Sequence, residues 1–315
     1  MDVLNEISPQ TVGSSNVPSR IVMLCTGLGD QMLWLSQMPA FRRKNGPVTA
    51  VLTKGNGIRE IAELYEGRAF DKLVDLGTPR PPALAEVMSS HFHPPPVLWA
   101  THIWFDERER YQLIAGGAGI ADLIRIVYDL PPASAPAAPE ISMAARMAAA
   151  ERMSRLALPI GRTVLLAPWA NSWQCALSDG WWAAAAAQLA HRGYKVVVNV
   201  SNLRGSDFVG LPGTTPIELP LAEVIPFAEL AGGFLSMRSG LCDLLAFAEC
   251  RKMVVYPHST AVSSYLTGLP YQEACRFWSV SRAFQRRDIV ELGVDCAAPF
   301  DPAIIDAWLD RGSAQ

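Results

Sequence analysis

The stretch RIVMLCTGLGDQMLWLSQMPAFRRKNGPVTAVLT, residues 20–53, decides the fold class. It opens with an almost continuous apolar run, Arg20–Cys25, which is typical of a buried parallel strand. A glycine-rich turn follows, and then come apolar residues at helical spacing that end in basic residues before Asn45 and Gly46. A second apolar run, Pro47–Thr53, comes directly after. A strand, a helix and a strand in this order predict a unit of a parallel α/β sheet.

The same alternation of strands and helices occurs on both sides of a proline- and alanine-rich segment, Leu130–Glu140. The sequence of that segment, LPPASAPAAPE, is typical of an interdomain linker. We therefore predict an α/β protein with two Rossmann-like, doubly wound domains that face a cleft. The predicted parts are a flexible tail (1–18), an N-terminal domain (19–130), a linker with a connecting helix (131–160), a C-terminal domain (161–290) and a C-terminal helical segment (291–315).

Composition excludes several classes of protein. The 315 residues suit two domains, half of them are apolar, and the net charge of −3 argues against nucleic-acid binding. No apolar run reaches the roughly 18 residues that a membrane span needs, and the N-terminal residues do not form a secretory signal. The six cysteines lack CxxC spacing, which favours free thiols over a zinc site or a disulfide framework. We expect a cytoplasmic protein.

A polar turn follows the first strand of each predicted domain, where open α/β sheets bind their ligands. In the first domain the turn is Gly27-Leu28-Gly29-Asp30. Met32 stands at the third glycine position of a dinucleotide fingerprint, which argues against NAD binding. The Asp30 carboxylate is a candidate general base for a hydroxyl. The alternative is that Asp30 only caps the helix and complements its dipole.

The corresponding turn of the second domain contains Asn171 and Ser172, which are good hydrogen-bond donors. Two tryptophans flank them, Trp169 and Trp173. Aromatic rings in a loop either stack on a sugar or base or pack against the domain. The turn is therefore a second candidate binding segment.

A third turn, Arg238-Ser239-Gly240, lies between a strand-like and a helix-like apolar run. The free N–H groups at a helix start bind phosphate, and Gly240 lets a phosphate approach the backbone. Ser239 can donate a hydrogen bond, and Arg238 offers a bidentate fork for a diphosphate. The alternative is a structural salt bridge between Arg238 and Asp243, with Ser239 capping the helix.

Together these stretches resemble the two-domain GT-B glycosyltransferases, and most of all the heptosyltransferases of glycosyltransferase family 9. Residues 22–44 follow that family's strand, Gly-Asp turn and basic-ended helix. Residues 225–237 resemble the run before the family's donor motif, Asp-Ser-Gly-x-x-His. RSGLCD is in frame with that motif, with Arg238 in place of the aspartate and Asp243 in place of the histidine. The family's donor-domain lysine has no counterpart either, which implies a different donor. The RSG turn also resembles fucosyltransferase-like GT-B enzymes.

The resemblance implies an inverting, metal-independent transfer of a hexosyl or heptosyl group from a nucleotide-diphosphate sugar to a hydroxyl. Asp30 would be the catalytic base. The donor diphosphate would be held by Arg238, Ser239, Gly240, Asn171 and Ser172. The residues expected to face the acceptor are Gly27, Gly29, Gln31 and His102. No cofactor is expected, and neither an Asp-x-Asp motif nor a histidine constellation indicates a metal site.

The family's acceptors imply a glycan, lipid-linked or protein acceptor of the bacterial envelope, handled at the inner face of the plasma membrane. A cytoplasmic protein with peripheral membrane contact would use the basic end of its first helix, Arg42, Arg43 and Lys44. Such a run is otherwise a solvated helix end. Three alternatives stay open: a UDP-sugar 2-epimerase-like enzyme, a non-catalytic sugar-nucleotide-binding protein and a structural partner subunit.

Overall fold

The structure is a computed structural model that describes residues 20–24, 27–52, 58–75, 97–100, 112–170, 175–200, 210–259 and 271–311. The chain divides into two compact units, one formed by Met1–Asp106 with Asp122–Glu140 and the other by Glu107–Ala121 with Ile141–Gln315. Each unit has its own parallel sheet. The predicted α/β class with two Rossmann-like domains is confirmed.

The first unit is built on a four-stranded parallel sheet with the order β3-β2-β1-β4. Its elements are β1 (Arg20–Leu24), α1 (Leu28–Asn45), β2 (Val48–Leu52), α2 (Ile58–Glu63), β3 (Lys72–Asp75), β4 (Val97–Ala100) and α3 (Ile120–Val127), the last of which begins in the second unit. Helix α1 is buried on most sides, with Met32, Leu35 and Met38 fully buried. A helix that is buried on most sides needs other segments of the chain to cover it. Part of that cover is the segment predicted as a linker, in which the Ala137 N–H donates to the Ser36 carbonyl at 2.7 Å.

The second unit is built on a six-stranded parallel sheet with the order β10-β9-β8-β5-β6-β7. Its elements are α4 (Met143–Arg155), β5 (Thr163–Ala167), α5 (Asp179–His191), β6 (Lys195–Asn199), β7 (Thr215–Ile217), α6 (Leu221–Ala231), β8 (Gly232–Met237), α7 (Gly240–Leu245), β9 (Arg251–His258), α8 (Tyr271–Phe277), α9 (Val280–Ala283), β10 (Ile289–Asp295) and α10 (Pro302–Arg311). Its largest buried side chain is Trp182 on α5.

Several boundaries differ from the sequence prediction. Residues 107–121 belong to the second unit and residues 122–140 to the first, so the chain changes unit three times rather than once. The segment predicted as helical from residue 291 onward begins inside strand β10, which pairs with β9 along its full length. Helix α10 follows and buries Ile305 and Trp308 against the core of the second unit. In the part of the chain that the structure describes, no helix is both long and apolar enough to cross a bilayer.

Candidate functional site

The Gly27–Asp30 turn lies at the carboxyl end of β1, as the sequence predicts. Gly27 is extended, with φ −70° and ψ 172°, and its carbonyl accepts a hydrogen bond from the Gln31 N–H at 3.0 Å. Asp30 is in the first turn of α1 and is half-buried, where its negative charge complements the helix dipole. The N-cap residue of α1 is Gly27 rather than Asp30, so only the dipole part of the structural alternative agrees with this position. Its role as the base stays a prediction.

Gln31, the next residue on α1, lies inside the first unit. The side chain is fully buried, and neither of its amide atoms has a hydrogen-bond partner among the described residues. It follows Asp30 on the helix, where the 100° turn per residue directs it into the protein interior. The assignment of Gln31 to the acceptor side stays a prediction. His102 lies outside the described residues.

The RSG turn lies at the carboxyl end of β8. The Arg238 N–H extends the sheet by donating to the Val255 carbonyl at 2.8 Å. Ser239 is the residue before α7, with φ −153° and ψ 170°, but its hydroxyl makes no capping hydrogen bond. Its Oγ lies 3.8 Å from the Cys242 sulfur. The Ser239 hydroxyl is therefore not used to cap the helix, which begins at the next residue, Gly240.

The Arg238 side chain is directed inward and forms the salt bridge that was the alternative reading of this turn. Its Nη1 donates to the Asp243 carboxylate at 2.8 Å, and the two side chains are 7% and 0% exposed. Its Nε donates to the Trp278 carbonyl at 3.0 Å and its Nη1 to the Ser239 carbonyl at 2.6 Å. Burial disfavours the charged guanidinium, but the Asp243 carboxylate offsets this and holds the pKa of Arg238 above its usual range.

Of the three guanidinium nitrogens of Arg238, Nε and Nη1 make the hydrogen bonds just described, and Nη2 makes none with the described residues. A diphosphate contact through Arg238 therefore stays a prediction and is restricted to this nitrogen and to the charge itself. The second part of the structural alternative, a Ser239 cap, is wrong because the Ser239 hydroxyl makes no such bond.

A hydrogen-bonded network behind Arg238 was not expected from the sequence. The Glu291 carboxylate on β10 accepts from the Val280 N–H at 2.7 Å and from the Ser279 hydroxyl at 2.7 Å. It also accepts from the Tyr256 hydroxyl, which lies 3.3 Å from the same Trp278 carbonyl that binds Arg238. Burial, and then the Glu291 charge, raise the pKa of Tyr256, so its phenol stays neutral. This network positions the Trp278 carbonyl and so supports Arg238.

Further polar residues lie at the carboxyl edge of the same sheet. His258 and Asp295 are paired in the register of β9 and β10, and the Cys296 N–H donates to the His258 carbonyl at 2.7 Å. Burial, followed by the neighbouring Cys296, raises the pKa of Cys175. The described residues contain no group of three His, Cys, Asp or Glu side chains that could hold a metal ion. Asn171 and Ser172 lie outside the described residues.

These residues were missed by sequence reasoning because they come from four separate parts of the chain. A signal was available for His258, Asp295 and Cys296, which stand at the carboxyl ends of β9 and β10, because parallel strands end at one edge of a sheet.

Comparisons with known proteins identify the fold. No family model matches the chain, and no curated protein matches it by sequence. The glycosyl transferase family 9 structure from Veillonella parvula is 13% identical with a TM-score of 0.58, covering 96% of this chain and 90% of that one. The chain has the GT-B fold. The ADP-heptose lipopolysaccharide heptosyltransferase II of E. coli is 9% identical with a TM-score of 0.52, covering 93% of this chain and 98% of that one.

A third similar structure shows a sugar nucleotide bound in this fold. It is E. coli heptosyltransferase WaaC with ADP-2-deoxy-2-fluoro heptose, which is 10% identical with a TM-score of 0.50. The match covers 93% of this chain and 99% of that one. The resemblance to GT-B heptosyltransferases that the turns indicated is therefore confirmed for the fold.

Proposed function

We propose that this protein transfers a sugar from a nucleotide-diphosphate donor to a hydroxyl of a glycan, lipid-linked or protein acceptor. The single observation that carries the proposal is the position of Asp30, a half-buried carboxylate in the first turn of α1 at the carboxyl end of β1. This is the edge at which open α/β sheets bind ligands. The GT-B fold, shared over 96% of the chain with a family 9 glycosyltransferase, supports the choice of reaction.

Each candidate residue is assigned one part of the proposed reaction. Asp30 takes the proton from the acceptor hydroxyl, whose oxygen then attacks the anomeric carbon of the donor. The bond to the leaving diphosphate breaks, and negative charge collects on the phosphate oxygens. The backbone N–H groups at the start of α7, the Ser239 hydroxyl and the Arg238 charge stabilise that charge. Because α7 has only six residues, local hydrogen bonds contribute more than a helix dipole.

The proposal extends to the identity of the donor, that is, its sugar and its nucleotide. Family 9 resemblance favours a heptosyl or hexosyl donor, whereas Arg238 and Asp243 at the motif positions favour a donor other than the family's. No metal is assigned to the reaction, since Arg238 and the backbone donors already supply positive charge at the diphosphate. The family resemblance is also the basis for two further proposals, that the acceptor belongs to the bacterial envelope and that the reaction takes place at the inner face of the plasma membrane.

The test is turnover of a panel of nucleoside-diphosphate sugars by the wild type, Asp30→Asn and the control Glu151→Gln. Glu151 is exposed on α4 and belongs to neither turn. We expect Asp30→Asn to lose about 100-fold or more in rate, the range of general base catalysis, while donor binding is kept. Glu151→Gln should match the wild type. Equal rates for wild type and Asp30→Asn would refute the role of Asp30.

The second candidate is a non-catalytic sugar-nucleotide-binding protein. It is favoured by the salt bridge to Asp243, which turns the Arg238 side chain inward. The same panel separates the two functions. Donor binding without turnover by the wild type would support the binding protein over the transferase.

A further inference from the structure

A pocket of about 550 Å³ opens in the first unit. It is lined by Pro39, Arg42, Arg43, Gly46, Pro47, Gly67, Arg68 and Asp71. Pro47 directly precedes β2 and Asp71 directly precedes β3, so the pocket lies at the amino edge of the parallel sheet. Asp30 lies at the carboxyl edge of that sheet. The pocket is therefore separate from the proposed catalytic turn, and its volume is in the range of small-ligand sites.

Arg42 and Asp71 form a closed pair within the pocket. The Arg42 Nε donates to the Asp71 carboxylate at 3.0 Å, and its Nη2 binds the other carboxylate oxygen. The Val48 N–H also donates to Asp71, at 2.9 Å. The Arg42 Nη1 donates to the Gly67 carbonyl at 2.7 Å, which holds the 67–68 turn against the end of α1. The Asp71 negative charge is thus satisfied inside the protein.

The other two arginines of the pocket, Arg43 and Arg68, are held less firmly than Arg42. Arg43 is exposed and has no hydrogen-bond or salt-bridge partner among the described residues. Arg68 is bound more loosely, by the Ala138 carbonyl at 3.2 Å and by Glu140 at 3.5 Å. Three arginines and one aspartate line the pocket, and Glu140 pairs with Arg68, so these five side chains together carry one excess positive charge. Lys44, the third residue of the basic helix end, is instead paired with Asp129.

We propose that this pocket binds a phosphate-bearing anion, either a soluble phosphate compound or the headgroup of an anionic lipid. Two guanidinium groups at one concave site suit phosphate, because each presents a planar fork of N–H donors. The Arg42–Asp71 pair forms a fixed wall, so ligand binding does not have to order it. Arg43 is the residue of the basic helix end that makes the contact, whereas Arg42 and Lys44 are held by the protein itself.

The experiment compares wild type with Arg43→Gln by calorimetric titration of pyrophosphate and by co-sedimentation with phosphatidylcholine vesicles, with and without phosphatidylglycerol. Arg155→Gln is the matched control, because Arg155 is also exposed and lacks a partner among the described residues. We expect Arg43→Gln to weaken binding about tenfold or more, the effect of losing a hydrogen bond to a charged group. Arg155→Gln should bind like the wild type.

The two assays identify the source of the anion. Pyrophosphate binding that is weakened by Arg43→Gln assigns the pocket to a soluble ligand. Binding only to phosphatidylglycerol vesicles, again weakened by Arg43→Gln, assigns it to a lipid headgroup. If neither probe binds, or if Arg43→Gln and Arg155→Gln bind like the wild type, the proposal is wrong. The donor site proposed at the RSG turn would also bind pyrophosphate, but Arg43→Gln leaves that turn unchanged. Only the binding that Arg43→Gln weakens reports on this pocket, so a failure here is separate from a failure of the proposed function.

Discussion

At the scale of single residues, Arg238 joins three parts of the second unit. Its guanidinium binds Asp243 on α7, the Ser239 carbonyl and the Trp278 carbonyl, which is 40 residues away in sequence. A buried charge without its partner is far more costly than an intact pair. The orientation of the RSG turn therefore depends on this salt bridge, whether or not Arg238 also reaches a diphosphate.

The change Asp243→Asn tests the salt bridge. It keeps the shape of the side chain but removes the charge that compensates Arg238, so we expect the free energy of unfolding to fall by about 3 to 5 kcal/mol. Urea denaturation measures this, with Glu151→Gln as the control for loss of an exposed carboxylate. A loss below about 1 kcal/mol would mean that the pair behaves like a solvated surface pair.

At the scale of elements, α6 passes into β8 without a connecting loop. Gly232 ends the helix in the left-handed region, with φ 93°. A Cβ added to Gly232 would lie 2.7 Å from the Gly161 Cα, which is backbone and cannot move aside like a side chain. Both the conformation and the close approach therefore need glycine at this position.

Replacing Gly232 with alanine should destabilise the protein for two reasons, and Gly213→Ala separates them. Gly213 also has positive φ, 74°, but a Cβ there would meet nothing within 4 Å. The conformational strain alone costs about 1–2 kcal/mol, so Gly213→Ala should lose about that much. Gly232→Ala should lose clearly more, because the contact with Gly161 adds to the strain. Equal losses in thermal or urea unfolding would show that the Gly161 contact relaxes without cost.

The elements were predictable where one residue pattern dominates. The apolar runs at β1 and β2 are almost continuous, and the predicted strands, Arg20–Cys25 and Pro47–Thr53, agree with the observed ones within one residue at each end. Strand β10 was missed because its residues are only half-buried at the edge of the sheet, so they lack such a run. The proline-rich segment was read as a linker, yet the Ala137 N–H and carbonyl bind Ser36 and Tyr65 in the first unit. Composition indicates a lack of helix, but it does not show such contacts.

At the scale of the whole molecule, the sequence predicted which turns lie at the carboxyl edges of the two sheets but not which contacts their side chains make. In the sequence Asp30 comes shortly after β1 and the RSG turn directly after β8, so their positions follow once those strands are recognised. The burial of Gln31 and the inward direction of Arg238 depend on residues distant in sequence. The Tyr256–Glu291 network likewise joins two strands through the loop before α9.

The most direct test of the central claim is calorimetric binding of UDP, GDP, ADP and CMP to the wild type and to Ser239→Ala. The Ser239 hydroxyl makes no capping bond, so its removal should leave the stability unchanged. If the RSG turn holds the donor diphosphate, one nucleoside diphosphate binds the wild type and Ser239→Ala binds it about tenfold more weakly. Absence of nucleotide binding by the wild type, or equal binding by the two proteins, would contradict the assignment of this turn as the donor site.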